Sequence, residues 1–194
     1  MLSFRRGAPA RNRPTSLGYM NRPVSITPRY VPIHGLRYDV HVTAIDDLGL
    51  VHSALEWLAG PEGDVVSTND SAHHGGRQTR MRVVFDRPGP ARRALARLGP
   101  TLLEDLGRDA HNRIDGEKRV HFRLDLAKLV CGQVALGAKG PVVKARFKLR
   151  VQPGEEPEAV ADRLIFDAVD RAERSQWPPP FDSATHEGNR AISD

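Results

Sequence analysis

Hydrophobic and polar residues alternate along several short stretches of this chain, and strict alternation indicates a strand with one buried face. The clearest example runs from Val143 to Val151, where every second residue is apolar and every intervening residue is a lysine or arginine. The pattern predicts strands that begin near Leu36, Val65, Met81, Val120 and Val143.

Other stretches place apolar residues three or four positions apart, which indicates amphipathic helices. The first helix is expected at about 47–59, with Asp46 or Asp47 as its N-terminal cap and Gly60-Pro61 as its end. Three more helices are expected at about 90–98, 101–109 and 156–174. Residues 126–136 are mostly apolar and are predicted as either a strand or a short helix-to-strand piece.

These elements follow the order β-α-β-β-α-α-β-β-β-α when residues 126–136 are counted as a strand. Strands that follow one another through turns favour antiparallel pairing, and interspersed helices must bury their apolar faces on the sheet. The sequence therefore predicts an α+β fold, in which helices pack on one face of a mostly antiparallel sheet.

Charge divides the 194 residues into three segments. Residues 1–38 contain seven arginines and no acidic residue, whereas residues 151–194 contain four arginines and ten acidic residues. We predict a disordered basic arm at 1–33, a folded domain at 34–174 and a disordered tail at 175–194, because both ends are rich in proline or polar residues. Met20 is an alternative start to Met1.

The basic arm and the mildly basic domain favour a polyanionic partner. A genome rich in G and C, which favours arginine over lysine, would produce a similar composition. The single cysteine, Cys131, precludes an intrachain disulfide, which fits a reducing compartment. Cys131 lies in an apolar stretch and is expected to be buried. No stretch is long and apolar enough for a membrane span.

The last predicted strand carries the main candidate site. Its alternate side chains are about 7 Å apart on one face, a spacing close to that of successive phosphates in a nucleic acid strand. An acid-free row of cations favours backbone binding without base readout, although a solvated sheet face would also carry such residues. Candidate RNA-binding residues are Lys144, Arg146, Lys148 and Arg150, with Arg123, His73, His74, Arg77, Arg80 and Arg82.

Other chemistry has little support in the sequence. Phe122, Phe147, Tyr38 and Phe85 fall on the apolar side of their strands and are expected in the core, not in base stacking. The helix at 90–98 presents Arg92, Arg93 and Arg97 as a second basic patch or as an ordinary solvated face. No phosphate-binding loop, dinucleotide motif or zinc-binding motif is present, so we predict no cofactor, no metal, no small-molecule substrate and no enzyme.

Three stretches resemble a family of small archaeal RNA-binding proteins, often described as predicted exosome subunits. They are the first strand and helix from His34 to Leu58, the Ala72-His73-His74-Gly75 loop, and a longer stretch from Ile114 to Lys148. The last contains Arg123-Leu124-Asp125 and the final basic strand. This chain differs from the family at Leu126-Ala127, where Lys-Gln is usual.

The resemblance implies a fold similar to that of a ribosomal protein that binds 5S RNA, an archaeal and cytoplasmic origin, and RNA as the partner. It also implies a role linked to the exosome or the ribosome. Our first hypothesis is thus a non-enzymatic protein that recognises RNA by backbone and shape. The alternative is an assembly subunit of an RNA-processing complex or ribosome, docked through the acidic last helix without touching RNA.

Overall fold

The computed structural model describes residues 32–43, 46–71, 77–178 and 181. Within them, five strands form one antiparallel sheet in the order β2-β3-β1-β5-β4. The strands are β1 Ile33–Thr43, β2 Val65–Ser71, β3 Arg77–Phe85, β4 Arg119–Asp125 and β5 Val142–Leu149. The helices are α1 Leu48–Ala59, α2 Pro88–Ala96, α3 Pro100–Arg108, α4 Leu126–Leu129 and α5 Pro157–Ser175, with a 3-10 turn at Ala110–Arg113.

The predicted α+β class is confirmed. Apolar side chains from one face of the sheet and from the helices form a single core, because each strand buries every second residue. The four aromatic residues expected in this core are at most 3% exposed, and Phe147 is fully buried. The aromatic rings therefore lie on the helical side of the sheet.

Local signals fix the ends of helix α1. Asp47 is its N-cap, and its carboxylate accepts a hydrogen bond from the Leu50 N–H at 3.1 Å. Asp46 instead accepts hydrogen bonds from the backbone N–H and hydroxyl of Thr43. Gly60 ends the helix at a φ of 71°, in the left-handed region that favours glycine.

The segment between β4 and β5 differs from the predicted element order, which placed a strand there. It begins with the one-turn helix α4, capped by Asp125, and then extends until Leu136 forms an isolated bridge with Leu124. The segment thus matches the alternative of a short helix-to-strand piece. Cys131, expected to be buried, is exposed, because it follows α4 in the turn.

The ends of the predicted domain are partly described. Residues 1–31, in the predicted basic arm, lie outside the described residues, as do 179–180 and 182–194 in the predicted tail. Trp177 and Phe181 of that tail pack against the core, and the Phe181 ring lies 5.3 Å from that of Trp57. This part of the tail therefore differs from the disorder expected of it. No helix among the described residues has the length and apolar character to cross a membrane.

Candidate nucleic-acid interface

The sheet has an outer face, defined here as the face opposite the helices. Residues that alternate with the buried strand positions share this face, since successive side chains point to opposite sides of a strand. Pairing between the strands places most of their charged residues on it. Its charged and histidine residues include Arg37, Asp39, His41, Arg80, Arg82, Arg119, His121, Arg123, Lys144, Arg146 and Lys148, with Asp125 at the end of β4.

Four of these residues form what we call the cationic strip: Lys144, Arg146 and Lys148 of β5, and Arg123 of β4. Arg123 lies directly across from Lys144 in the antiparallel register. Side chains directly across from each other on one face are about 5 Å apart at Cβ. The strip therefore gathers four positive charges on two neighbouring strands.

None of these four side chains has a carboxylate within ion-pair distance among the described residues. Lys144, Lys148 and Arg123 are exposed, and Arg146 is half-buried. Like charges held together without a neutralising group repel one another and attract polyanions. The strip is thus available to a negatively charged ligand.

Asp39 of the central strand β1 holds a second group of cations. Its carboxylate accepts hydrogen bonds from Arg80 at 2.9 Å and from Arg82 at 2.9 Å, and it forms an ion pair with Arg37 at 2.6 Å. Arg80 and Arg82 lie on β3, one strand away from Asp39, and Arg37 is two residues before it. One carboxylate therefore orients three guanidinium groups and leaves the cluster with a net positive charge.

The environment of Asp39 keeps it ionised. Burial alone raises the pKa of its carboxyl, since only 13% of the side chain is exposed. Hydrogen bonds from Arg82, Arg37 and Arg80 outweigh burial and hold the pKa below the ordinary value of 3.8. Asp39 is thus a fixed negative centre that positions arginines.

At the far edge of the sheet, Asp115 organises the start of β4. Its carboxylate lies 2.7 Å from His121 Nε2 and accepts backbone hydrogen bonds from Glu117 and Arg119, each at 2.9 Å. The hydrogen bond with His121, followed by those from the backbone, lowers the pKa of Asp115 to about 2. His121 is therefore held in one orientation on the outer face.

A shallow depression of about 240 Å³ connects these groups. Arg37, Arg119, Arg146 and Lys148 line it around Gly35. A Cβ at Gly35 would lie 2.6 Å from the Phe85 carbonyl oxygen, so a larger residue there would force β1 away from β3. The depression has the size of a small anionic group, and its rim carries four cations and one acid, Asp86.

The structure brings together part of the predicted site. Lys144, Arg146, Lys148 and Arg123 share the outer face with Arg80 and Arg82, whereas Arg150 follows the end of β5 and donates its N–H to the Pro32 carbonyl at 3.1 Å. Arg77 begins β3 opposite Ser71. His73 and His74 lie outside the described residues.

Asp39 is the residue that sequence reasoning missed. The sequence shows that Asp39 and Arg37 share one face of the first strand, because the two residues are two positions apart. Its role depends on β1 lying between β3 and β5, which the alternation of one strand does not show. Arg37 was likewise counted with the basic end of the chain and not with the sheet.

The arginines of α2 have internal partners instead. Arg92 forms an ion pair with Asp167, and Arg93 forms one with Glu62. Arg97 donates to the Leu58 carbonyl at 2.9 Å and the Trp57 carbonyl at 2.6 Å. Of the three, only Arg93 is exposed, so these arginines form neither a free basic patch nor an ordinary solvated face.

Comparison with known proteins gives a family and a fold. The model of a family described as RNA binding matches residues 35–149. Crystal structures of DUF54 proteins from Archaeoglobus fulgidus and Sulfolobus solfataricus share 21% and 15% identity with this chain, at TM-scores of 0.58 and 0.54. Each covers 70% of this chain and 99% of its own.

A third structure, of a DUF54 protein from Methanothermobacter thermautotrophicus, is 21% identical at a TM-score of 0.58. It covers 71% of this chain and 98% of its own. A comparison with curated proteins finds no match. The three structures therefore show the same fold over nearly their whole length.

Proposed function

Because this chain belongs to the RNA-binding family whose model spans residues 35–149, we propose that it binds RNA through the outer face of its sheet. A general RNA-binding role follows from the family. The mode of recognition that we propose is contact with the RNA backbone. The observation that carries this proposal is the cationic strip, which lacks carboxylate partners among the described residues.

The chemistry of the outer face favours phosphates over bases. Its described strand residues include arginine, lysine and histidine but no phenylalanine, tyrosine or tryptophan. Readers of single strands that use a sheet surface stack bases on exposed aromatic rings. Cations that track a backbone supply affinity and orientation without sequence preference. RNA recognition by backbone and shape is therefore the mode we propose.

The Asp39 cluster adds directed donors to this surface. Arg82 donates to Asp39 through Nε, which leaves its two terminal nitrogens for a ligand. Guanidinium groups match the geometry of phosphate oxygens and are already oriented by Asp39, so less side-chain entropy is lost on binding. We propose that Arg80, Arg82 and Arg37 extend the RNA contact from β5 across the sheet.

We propose binding without catalysis, in the cytoplasm. On the outer face, ion pairs join Arg37, Arg80 and Arg82 to Asp39, and His121 to Asp115. None of these pairs joins a nucleophilic side chain to a base. Among the described residues, no three His, Cys, Asp or Glu side chains form a group that would hold a metal.

The decisive experiment changes Lys144, Arg146 and Lys148 together to alanine. At about 1 kcal/mol for each lost phosphate contact, RNA binding should weaken roughly 100-fold at low salt. The slope of log K against log salt should fall by about two to three, because three fewer counterions are released. Fluorescence anisotropy with a labelled RNA duplex measures both quantities.

The matched control changes Arg108, Arg163 and Arg174 together to alanine. These exposed arginines lie on helices α3 and α5 and pair with Asp105, Glu155 and Asp170. The control has the same net charge as the test variant, and its RNA affinity should stay close to that of the unchanged protein. Equal losses in both variants, or no loss in the first, would contradict the proposal.

One observation favours a second candidate function, assembly into an RNA-processing complex or ribosome. Phe166 on α5 is 76% exposed, and Asp162 and Asp170 flank it on the same helical face. An exposed ring among acids suits a partner with an apolar pocket and a basic rim. Phe166→Ser should then abolish a pull-down that survives nuclease treatment, and it should leave RNA affinity unchanged.

A further inference from the structure

The depression around Gly35 lies where the outer face reaches one end of the sheet. Gly35 is near the start of β1, Arg119 begins β4, and Lys148 is one residue from the end of β5. Lys148 pairs with Gly35 on one side of β5 and with Arg119 on the other. The cationic strip therefore ends in this depression, about 14 Å from Lys144 at roughly 3.4 Å for each residue.

The floor of the depression is backbone. Gly35 has no side chain, and the side chains of Leu36 and Phe85, which also line the depression, are buried in the core. The close approach of β3 explains why position 35 is a glycine. Its consequence on the outer face is a hollow between the side chains of the neighbouring strands.

A β-bulge shapes the same place. Ile33 pairs with Leu149 and Gly35 pairs with Lys148, so β1 contains one extra residue, His34. His34 is exposed and also lines the depression. Bulges bend a strand and often lie beside functional sites, where they change the direction of a side chain. The end of the sheet is thus shaped differently from the regular ladder along which the strip runs.

Four cations surround this floor from three strands. Arg37 comes from β1, Arg146 and Lys148 come from β5, and Arg119 comes from β4. Arg37 lies directly across from Arg146, and Arg119 lies directly across from Lys148. Such pairs are about 5 Å apart at Cβ. The cations of the depression therefore converge on one point, whereas those along β5 form a row.

Two of these four cations have acidic partners and two do not. Asp39 pairs with Arg37 at 2.6 Å. Glu117 and Asp115 lie within ion-pair distance of Arg119. The two cations of β5 have no carboxylate within that distance in the part of the chain that the structure describes. The depression thus combines two guanidinium groups that are already oriented with two cations that keep their full attraction for an anion.

One acid, Asp86, is among the residues that line the depression. Its side chain is 86% exposed and lies 4.0 Å from that of Arg87. Four cations and one acid give the lining residues a net charge of +3 with His34 neutral. A ligand with two negative charges would be attracted by this excess.

We propose that the depression binds a terminal phosphate of RNA, an inference that rests on the proposed function of the outer face. A terminal phosphate is a monoester, with about two negative charges near neutral pH and three strong acceptor oxygens. A phosphodiester within the chain has a single charge. Convergent cations suit the monoester, and the row along β5 suits successive diesters. RNA that follows the cationic strip therefore ends with its phosphate beside Lys148.

The test uses three RNA duplexes of about 16 base pairs that differ only at one end of one strand. That end carries a 5′-phosphate, a 3′-phosphate or a hydroxyl group, because both phosphates have the chemistry proposed. The full chain should bind at least one phosphorylated duplex about tenfold more tightly than the hydroxyl duplex, the gain expected from one charged hydrogen bond. Fluorescence anisotropy at constant ionic strength, with the label at the opposite end, measures the ratio.

Two matched variants separate the depression from the rest of the outer face. Arg119→Gln removes a cation that lines the depression and is outside the cationic strip, so it should remove most of the preference for a phosphorylated end. Arg123→Gln makes the same charge change in the strip, away from the depression, so it should weaken binding of all three duplexes and keep their ratio. Asp86→Asn, at an exposed position, should increase the ratio because it removes the acid from the rim.

Equal affinity of the unchanged protein for all three duplexes would overturn the inference. A preference that Arg119→Gln leaves unchanged, or that Arg123→Gln reduces as much, would also overturn it, because a general effect of charge gives either result. The proposed function would survive these outcomes if affinity for the hydroxyl duplex still fell in the Lys144, Arg146 and Lys148 variant.

Discussion

The outer face of the sheet and the exposed side of helix α2 are both rich in arginine, but their cations have different surroundings. On the outer face, the cationic strip has no carboxylate partner among the described residues. On α2, Arg92 and Arg93 pair with acids, and Arg97 donates to two backbone carbonyls. The sequence presents both as basic patches, so charge alone does not distinguish a ligand surface from an internal support.

The difference follows from which elements face each group. Helix α2 packs beside α5 and the end of α1, where acidic residues and free helical carbonyls are within reach of its arginines. The strip lies on β5 and the edge strand β4, where Arg146 has Arg37 on one side and His121 on the other. Lys144 lies across from Asp39, but that carboxylate is already paired with three arginines. A cation is available for RNA only when its neighbours cannot neutralise it.

The largest effect on stability is expected for Arg97→Ala. Arg97 satisfies the carbonyls of Trp57 and Leu58 at the end of α1, and its guanidinium lies 3.7 Å from the centre of the Trp177 ring. Two charged hydrogen bonds and one cation–π contact together suggest a loss of about 3 kcal/mol in the free energy of unfolding. RNA affinity of the folded protein should not change. Denaturant titration and anisotropy measure the two quantities.

Arg108→Ala is the control for that experiment. Arg108 is 73% exposed and pairs with Asp105 one turn earlier, so its removal should change stability by less than about 0.5 kcal/mol. If Arg97→Ala weakened RNA binding while stability stayed the same, the contrast between α2 and the sheet would be wrong.

A smaller effect is expected in RNA affinity, which should differ between Arg146→Ala and Arg93→Ala. Both changes remove one arginine, but Arg146 belongs to the cationic strip and Arg93 pairs with Glu62. Arg146→Ala should weaken RNA binding about fivefold, or roughly 1 kcal/mol, and lower the salt slope by about 0.7–0.9. Arg93→Ala should leave the slope unchanged. Affinities measured over a series of salt concentrations decide between the two surfaces.

The smallest change in affinity is expected for Asp39→Asn. Removing the carboxylate loses the orientation of Arg37, Arg80 and Arg82 but releases them from partial neutralisation. The charge effect should be the larger of the two at low salt, so RNA binding should strengthen about threefold. Asp105→Asn, which makes the same charge change on α3, should have no such effect. Weaker binding by Asp39→Asn would mean that orientation of the three arginines matters more than their net charge.

Asp39 also predicts a pH dependence of stability. Its pKa in the folded protein lies below 3.8, so it stabilises the fold fully above that value and loses the contribution as pH falls through the lowered pKa. Asp39→Asn should therefore be less stable than the unchanged protein near neutrality, and the difference should shrink as the pH falls below 3.8. Denaturant titrations at both pH values measure it.

Much of the fold was predictable because its local signals agree with one another. The alternation from Val143 to Leu149 predicted strand β5 and its cationic face, and Asp47 and Gly60 marked the ends of α1. Cys131 and the segment after Asp125 were less predictable, since a short apolar run is compatible with a strand, a helical turn or a surface loop. The choice among these three structures depends on the order of the strands in the sheet. That order is set by contacts between residues that are distant in sequence.

The sequence by itself determined five strands, four of the helices, the α+β class and the row of cations on β5, because each depends on residues within one or two turns or on a period of two. Only the tertiary structure decided which cations are neutralised, since that depends on the side chains which other elements bring within ion-pair distance. Strand order placed Asp39 among three arginines. A strand's own alternation fixes the face on which each side chain lies, but its neighbours on the sheet decide what that side chain can bind.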